Sequence, residues 1–381
     1  MTVATPPAAA SSAPTRVERW TRVSVAFAAA TIALVVVLAL LPFWFGPNTT
    51  EKLTELFVLI ILAAMWNALA GYAGLVSIGQ QAFIGIGAYA VIVFSDHGIN
   101  AYVAVLLGAL FCGLVSLPTS WLVFRLRGGQ FAIGMWVVAE LFRLLVTNDQ
   151  SVGGGTGRSL DALNVYAPAD RQAYTYWVAL AAMTALILIG LILLRSRLGA
   201  SLQAIRDDER AAESVGVPVA RAKRAVFLLA AVGCGAAGAI TMTNTLTVTP
   251  ASIFGVQWSA YMIFMVLVGG LGTFEGPVLG ALILFGIQQE FQNDGSWYLV
   301  GLGAVAIAVT LILPRGVWGW VVGRFHLRLV PVGYTLRGLS TSLLGAGREA
   351  GGAGHRTGTA GAPPTASGEA GTVVPAPKER G

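Results

Sequence analysis

The chain has 381 residues, of which 56% are hydrophobic and 47 are glycine, while only 11% are charged. Soluble domains carry about 25% charged residues, so a water-facing surface for a fold of this size cannot be built from this composition. The composition therefore excludes a soluble globular protein and indicates a membrane protein.

The residues that several enzyme classes need are missing or scattered. None of the three lysines, Lys52, Lys223 and Lys378, is followed by Ser or Thr, so the chain has no phosphate-binding loop of the G-x-x-x-x-G-K-[ST] type. Three histidines and two cysteines are too few and too far apart for a His/Cys metal cluster or a disulfide framework. We therefore expect a chain that is not an enzyme and that needs no metal or cofactor.

Ten apolar segments follow one another along the chain. A helix needs about 20 mostly apolar residues to cross the hydrocarbon core of a bilayer. The sequence therefore predicts an all-α, polytopic integral membrane protein with about ten transmembrane helices, at residues 22–45, 53–70, 78–95, 101–124, 131–147, 172–194, 224–246, 258–271, 276–291 and 296–313.

The positions of the basic residues predict the orientation of these helices. Short cytoplasmic loops are enriched in Lys and Arg. If the N-terminus lies inside, 20 of the 24 basic residues fall on the cytoplasmic side, and only Lys52, Arg158 and Arg171 lie outside, with Arg143 inside a span. We therefore predict that both termini are cytoplasmic.

The ends of the chain differ in composition from the membrane domain predicted at residues 22–330. Residues 1–21 and 338–381 are rich in Ala, Gly, Pro, Ser and Thr, and we expect them to be disordered cytoplasmic tails. The one long outside loop, residues 148–171, is polar and turn-rich, and is a candidate docking or lid surface.

Two glycine-rich segments interrupt the apolar pattern, GYAGLVSIGQQAFIGIGAY (71–89) and VGGLGTFEGPVLGA (268–281). Non-helical backbone at membrane depth is tolerated only where protein or a water-filled cavity covers it, and paired interruptions point to a translocation path. Alternatively, the glycines only let helices pack closely. The polar side chains in the first interruption favour the path, for which the candidate residues are Ser77, Gln80, Gln81, Phe83, Tyr89, Gly272 and Glu275.

Two charged residues, Glu140 and Arg143, fall within the predicted span 131–147. They are three residues apart, so they share one helix face and can form an ion pair. Both are predicted to lie toward the outer end of the span, which favours a structural pair over a proton-coupling site. No unpaired acid is predicted at the centre of a span.

The predicted cytoplasmic segment RSRLGASLQAIRDDERAAESVGVPVARAKR (195–224) is more polar than a simple connection requires. Asp207 or Asp208 can cap a short helix, Gly216 is a natural helix stop, and Pro218 can open the next helix. We expect two short helices that meet at the glycine and form a rigid cytoplasmic knob.

This segment resembles a known family. The pattern Ala211-Ala212-x-x-x-Gly216, preceded by an acid, is similar to the EAA loop of bacterial ABC-importer permeases, and residues 196–217 are similar to its version in branched-chain amino acid permeases of the LivM type. The further matching stretches, in order, are GLVSIGQQAFIGIGAY (74–89), LRGGQFAI (126–133), VGGGTG (152–157) and GGLGTFEGPVLGA (269–281), and together the matches span about residues 53–315.

The chain also departs from the family pattern. Glu209 sits one residue earlier than a strict E-A-A spacing, with Arg210 in its place. Gly79-Gln80 stands where many members have Gly-His, and residues 134–138 differ from the expected Thr/Leu-rich stretch. These differences bear on the substrate more than on the architecture.

The resemblance implies a permease subunit of an ATP-driven importer in the bacterial plasma (inner) membrane, which translocates branched-chain or other small amino acids. The implied partners are a second homologous permease, two ATP-binding subunits that hydrolyse ATP, an extracytoplasmic binding protein and membrane lipid, with no nucleic acid. The implied contact with the ATPase is formed by Arg206, Asp207, Glu209, Ala211, Ala212 and Gly216.

Other functions remain open at this point. The same architecture also carries urea and short amides. A secondary transporter driven by an ion gradient would explain the broken helices but leave residues 195–224 without a role. A membrane enzyme would need a nucleophile or metal cluster that the three histidines and two cysteines do not supply.

Overall fold

The computed structural model describes residues 16–18, 22–291, 296–313, 315–325 and 335–337. These residues are almost entirely helical. The α-helices in chain order are α1 (Arg22–Leu40), α2 (Pro47–Asn67), α3 (Gln81–Asp96), α4 (Ala101–Val123), α5 (Gly129–Asn148), α6 (Pro168–Arg195), α7 (Arg197–Asp207), α8 (Glu209–Ser214), α9 (Val219–Thr245), α10 (Pro250–Ile253), α11 (Gln257–Gly269), α12 (Gly276–Phe291), α13 (Ser296–Ile312) and α14 (Gly316–Phe325).

The all-α polytopic prediction is confirmed, and each of the ten predicted spans coincides with a helix. Among the described residues, seven helical stretches are long and apolar enough to cross a membrane, while α3 and α12 are 16 residues each. The seven stretches are Pro47–Tyr72, Ala101–Val123, Gly129–Asn148, Pro168–Arg195, Val219–Thr245, Pro250–Gly269 and Tyr298–Arg324.

Helix α9 forms the centre of the fold, where it packs against α2, α3, α4 and α6. Glycines let the backbones of α3 and α9 touch. A Cβ atom on Gly238 would overlap the carbonyl of Ile84, and one on Gly87 would overlap the carbonyl of Gly235. Because lipid removes the hydrophobic drive for helices to associate, such close backbone packing is a main source of stability in membranes.

We expect Gly238→Ala to destabilise the fold by about 1–3 kcal/mol, the range for overpacking a tight core. The added methyl group would have to push the Ile84 carbonyl away. The matched control is Gly190→Ala on α6, where a Cβ atom meets nothing within 4 Å. Thermal unfolding of both purified variants in detergent checks the prediction, and equal melting temperatures would contradict it.

The loops form two groups, one at each end of the helices, and the loops within a group contact one another. Residues near 51, 96–102, 158–172 and 247–248 contact one another, through bonds such as Arg158 to Asp96 at 3.0 Å and Tyr102 to the Arg171 carbonyl at 3.1 Å. Residues 71–74, 206, 272–273 and 315–316 form the other set. The charge count predicts the same division, with the first set outside and the second inside.

The described strands are short. Strand β2 (Arg158–Ser159) pairs antiparallel with β3 (Thr247–Val248), which ties the loop at 148–171 to the end of α9. Residues 16–18 of the predicted N-terminal tail form β1 (Arg16–Glu18), which pairs antiparallel with β4 (Thr335–Arg337) in a separate unit. The rest of the two predicted disordered tails lies outside the described residues.

Candidate coupling and translocation site

Each of the two glycine-rich interruptions is a real break in the helical structure. The first break, residues 68–80, starts as a π-helical turn (Ala68–Tyr72) and continues as irregular backbone to the start of α3. The second break, residues 270–275, is a tight turn between α11 and α12, where Gly270 and Gly272 have φ angles of 130° and 75°. Only glycine adopts such conformations readily.

The two breaks lie against each other, although about 200 residues separate them in sequence. Asn67, the last residue of α2, holds them together: its Nδ2 donates to the Thr273 carbonyl at 2.8 Å, and its Oδ1 accepts from the Gly272 amide at 2.9 Å. A Cβ atom on Gly71 would lie 2.7 Å from that amide nitrogen. The side chain of Asn67 therefore replaces backbone hydrogen bonds that the broken helices lose.

A residue of the predicted coupling segment reaches the same place. The Arg206 guanidinium donates from Nη1 to the Gly71 carbonyl at 2.9 Å, and the same nitrogen lies 3.3 Å from where a Cβ atom on Gly272 would be. The backbone of Arg206 packs on Gly74, where φ is 69°. We call the contact of Asn67, Gly71, Arg206 and Gly272 the junction.

The coupling segment folds as two short helices, but they meet at a different residue from the one predicted. Asp208, and not Asp207, caps α8, because its Oδ1 accepts from the amides of Arg210 and Ala211 at 2.9 and 3.0 Å. The expected meeting point at Gly216 is wrong: α7 and α8 meet at Asp208, and Gly216, with φ of 85°, separates α8 from the long helix α9. Pro218 precedes α9 instead of being its first residue.

The predicted ATPase-contact residues do not share one environment. Ala211 and Gly216 are exposed, and Asp207 is exposed and bonded to Arg206. Ala212 is buried, and Glu209 forms an ion pair with Lys223 of α9 at 2.7 Å. Ala212 and Glu209 therefore hold α8 onto the protein. The exposed surface of α8 and of the residue that caps its end also includes residues that were not predicted from the sequence, Arg210, Glu213 and Val215.

The polar residues at the end of the first break and the start of α3 face the interior of the chain. Ser77, Gln80 and Gln81 are all buried. The Ser77 carbonyl accepts from the indole of Trp66 at 2.8 Å, and Gln81 Oε1 accepts from the Ser259 hydroxyl at 2.5 Å. Gln80 Oε1 has no hydrogen-bond partner. The Ser77 carbonyl and the Gln81 side chain thus anchor the start of α3 to α2 and α11.

The other predicted path residues divide between the core and the junction. Phe83 is buried and packs edge-on against Phe227, and Tyr89 is buried and stacks on Phe254. Gly272 belongs to the junction, and Glu275 is the last residue of the second break. In this single chain, Ser77, Gln80, Gln81, Phe83 and Tyr89 are therefore internal, and only Gly272 and Glu275 are partly accessible.

The predicted ion pair of α5 is present. The Arg143 guanidinium donates to both carboxylate oxygens of Glu140, from Nε at 3.0 and 2.9 Å and also from Nη2. Glu140 is the twelfth and Arg143 the fifteenth of the 20 residues of α5, so both lie in its second half, the half predicted to be the outer one, and Glu140 lies just past the helix midpoint.

The outer loop at 148–171 is ordered by short-range bonds. The amide and hydroxyl of Ser151 donate to Asp149 at 2.9 and 2.7 Å, and these bonds lower the pKa of that carboxyl group. Gly153, Gly154 and Gly157 all have positive φ. Among the described residues, no group of three or more His, Cys, Asp or Glu side chains could hold a metal ion.

The family model for the permease component of branched-chain amino acid transport systems matches residues 48–313. The chain belongs to this family. The matched range begins in α2, ends after α13, and contains both breaks and the coupling segment. This permease is accordingly a transport subunit and a multi-pass protein of the inner membrane.

Three curated relatives show how far the similarity extends. The permease is 27% identical over 313 residues to the high-affinity branched-chain amino acid transport system permease protein LivM of Escherichia coli K12, covering 75% of this chain and 73% of the relative. A probable LivM of Methanocaldococcus jannaschii is 21% identical over 203 residues, with 52% and 58% covered. The L-arabinose transport system permease protein AraH of E. coli is 33% identical over 128 residues, with 31% and 39% covered.

The permease has one junction residue that the sequence reading missed. Asn67 is the only polar residue between Thr54 and Tyr72 besides Glu55, and it lies directly before the first glycine-rich stretch. A buried amide inside an apolar span is costly unless both of its polar ends are bonded. An asparagine in an otherwise apolar span therefore indicates from the sequence alone that its side chain has hydrogen-bond partners in another segment.

Proposed function

We propose that this permease is the membrane subunit of an ATP-driven importer that moves branched-chain amino acids into the cytoplasm. In the proposed complex it pairs with a second permease and with two ATP-binding subunits, which supply the energy. An extracytoplasmic binding protein delivers the solute to the outer face, for which the ordered loop at 148–171 is the proposed docking surface.

The observation that supports this proposal most strongly is the junction. Helix α8 presents an exposed surface and begins three residues after Arg206. The Arg206 guanidinium binds the first break and lies beside Gly272 of the second. A push on α8 by an ATP-binding subunit would therefore reach both breaks through one side chain. A transporter driven by an ion gradient has no use for such a link.

The orientation is part of the same proposal. The junction and the coupling segment lie at the end of the helices where the basic residues concentrate, and seven of the basic residues fall between Arg195 and Arg224. By the positive-inside rule this end is cytoplasmic. ATP-binding subunits act from the cytoplasm, so both termini and α8 are proposed to lie inside.

The cargo is proposed from the relatives. LivM of E. coli is named for branched-chain amino acids and covers most of this chain, whereas AraH, named for L-arabinose, matches about a third of it. Because the two cargoes differ, the shared architecture does not fix the solute. Urea or a short amide is the alternative solute for a transporter of the same architecture.

Reconstitution tests the proposal. The permease is expressed with the genes beside it, purified through a tag on this chain, and placed in liposomes with the binding protein and internal ATP. We expect an ATP-binding subunit and a second permease to copurify, and leucine to accumulate only with ATP. Uptake by this chain alone under an ion gradient would overturn the proposal, and competition by urea instead of leucine would change the cargo.

A further inference from the structure

The ion pair of α5 lies at an unusual depth for charged side chains. Helix α5 has 20 residues, or roughly 30 Å at 1.5 Å per residue, which equals the thickness of the hydrocarbon core. Glu140 is the twelfth residue of this helix and Arg143 the fifteenth. A helical arginine side chain leans toward the N-terminus, so the guanidinium also lies near the middle of the bilayer.

The pair is nevertheless on the surface of the subunit. The side chain of Glu140 is 45% exposed and that of Arg143 is 30% exposed. The residues that α5 buries against the rest of the chain, Phe131, Met135 and Val138, lie on another face. No element of the described chain covers the ion pair.

The exposed surface of α5 has two chemically different sides. At 100° per residue, Trp136, Glu140, Arg143 and Thr147 fall within an arc of about 60°; we call this row the polar stripe. Next to it lies an apolar arc of exposed side chains, Ile133, Val137, Leu141 and Leu144. A helix surface that faces only lipid would be apolar throughout and would not include the polar stripe.

Lipid is a poor environment for the polar stripe. A charged residue at the centre of a bilayer costs roughly 2.5–3.5 kcal/mol on insertion scales, and such residues face protein or a water-filled cavity. The apolar arc meets no such cost. The first break packs against that other face of the helix, where a Cβ atom on Gly79 would overlap the carbonyl of Met135, five residues before Glu140.

We propose that the polar stripe lines the aqueous passage of the assembled transporter, and that Glu140 and Arg143 bind the two charged groups of a zwitterionic amino acid as it crosses. The carboxylate of Glu140 accepts from the ammonium group, and the guanidinium of Arg143 donates to the carboxylate. The pair neutralises itself when no solute is present. This proposal rests on the proposed cargo for the solute, but not for the position of the passage.

Spin labels test the passage without reference to any cargo. Trp136→Cys and Val137→Cys place labels on adjacent residues at nearly equal depth, one on the polar stripe and one on the apolar arc. The native Cys112 and Cys234 are buried, so the parent protein serves as the background control. In the assembled complex in lipid, we expect the label at 136 to collide with a water-soluble nickel chelate and the label at 137 to collide with oxygen. A label at 136 that is accessible to oxygen alone, or to neither reagent, overturns the passage.

A neutral double variant tests the binding role. In Glu140→Gln/Arg143→Gln both charges are removed together, so no unpaired charge remains. A merely structural pair tolerates such a replacement. We expect ATP-driven leucine uptake at least tenfold below that of the parent, with an unchanged melting temperature. Parental uptake by this variant would show that the pair is structural and overturn the binding role, whereas a parent complex that never imports leucine would refute the proposed cargo instead.

Discussion

Replacing Arg206 with alanine should lower ATP-driven uptake at least tenfold while the complex still assembles and hydrolyses ATP. The variant removes the donor to the Gly71 carbonyl and the contact with Gly272. The caps of α7 and α8 do not involve the Arg206 side chain, since Ser196 and Asp208 provide them. Movement of α8 would then no longer reach the two breaks, so hydrolysis would continue without transport.

The measurement is the ratio of leucine transported to ATP hydrolysed in proteoliposomes. Arg197→Ala is the matched control, because Arg197 is an exposed arginine on the same helix, nine residues before Arg206 and outside the junction. A ratio that stays at the parental value in Arg206→Ala would show that the junction does not transmit the motion.

A second variant tests whether Arg206 acts through the contact between the two breaks. Asn67→Leu removes both hydrogen bonds that join the breaks. Residues that act through one network give non-additive double variants, while independent residues give additive ones. We expect Arg206→Ala/Asn67→Leu to transport about as poorly as the worse single variant. Losses that multiply would indicate that the two side chains act separately.

The helices and the position of the breaks could be predicted because both depend on local sequence. Apolar runs of about 20 residues specify spans, and each predicted span overlaps a helix. Glycines at Gly270 and Gly272 mark backbone that other residues adopt at a cost. The helix cap is also a local feature: the sequence predicts it at Asp207 or Asp208, and the structure has it at Asp208.

The junction could not be predicted, because it depends on which distant segments meet. Asn67 and Thr273 are 206 positions apart, and neither hydrophobic periodicity nor a motif in a single sequence predicts a contact between them. The interior position of Gln81 has the same cause, since its partner Ser259 is 178 positions away.

The largest loss of function is expected from two changes, Ala212→Asp in α8 and Gly216→Pro directly after this helix. Ala212 is buried, so an aspartate there would place a carboxylate without a partner against the protein, at a cost of about several kcal/mol unless α8 detaches. Gly216 has φ of 85° and donates to the Glu213 carbonyl at 3.0 Å, whereas proline holds φ near about −65° and has no amide proton. Both variants should therefore displace α8.

We expect both variants to abolish leucine uptake, and ATP hydrolysis to become independent of the loaded binding protein. The complex should still insert, because α6 and α9 on either side of the segment are long apolar helices that do not need α8. Ala200→Asp, an exposed alanine on α7, controls for added negative charge. Gly216→Asn separates conformation from contact, since asparagine tolerates positive φ and should retain far more uptake than proline. Normal transport by both Ala212→Asp and Gly216→Pro would exclude α8 as the element that receives the motion of the ATP-binding subunit.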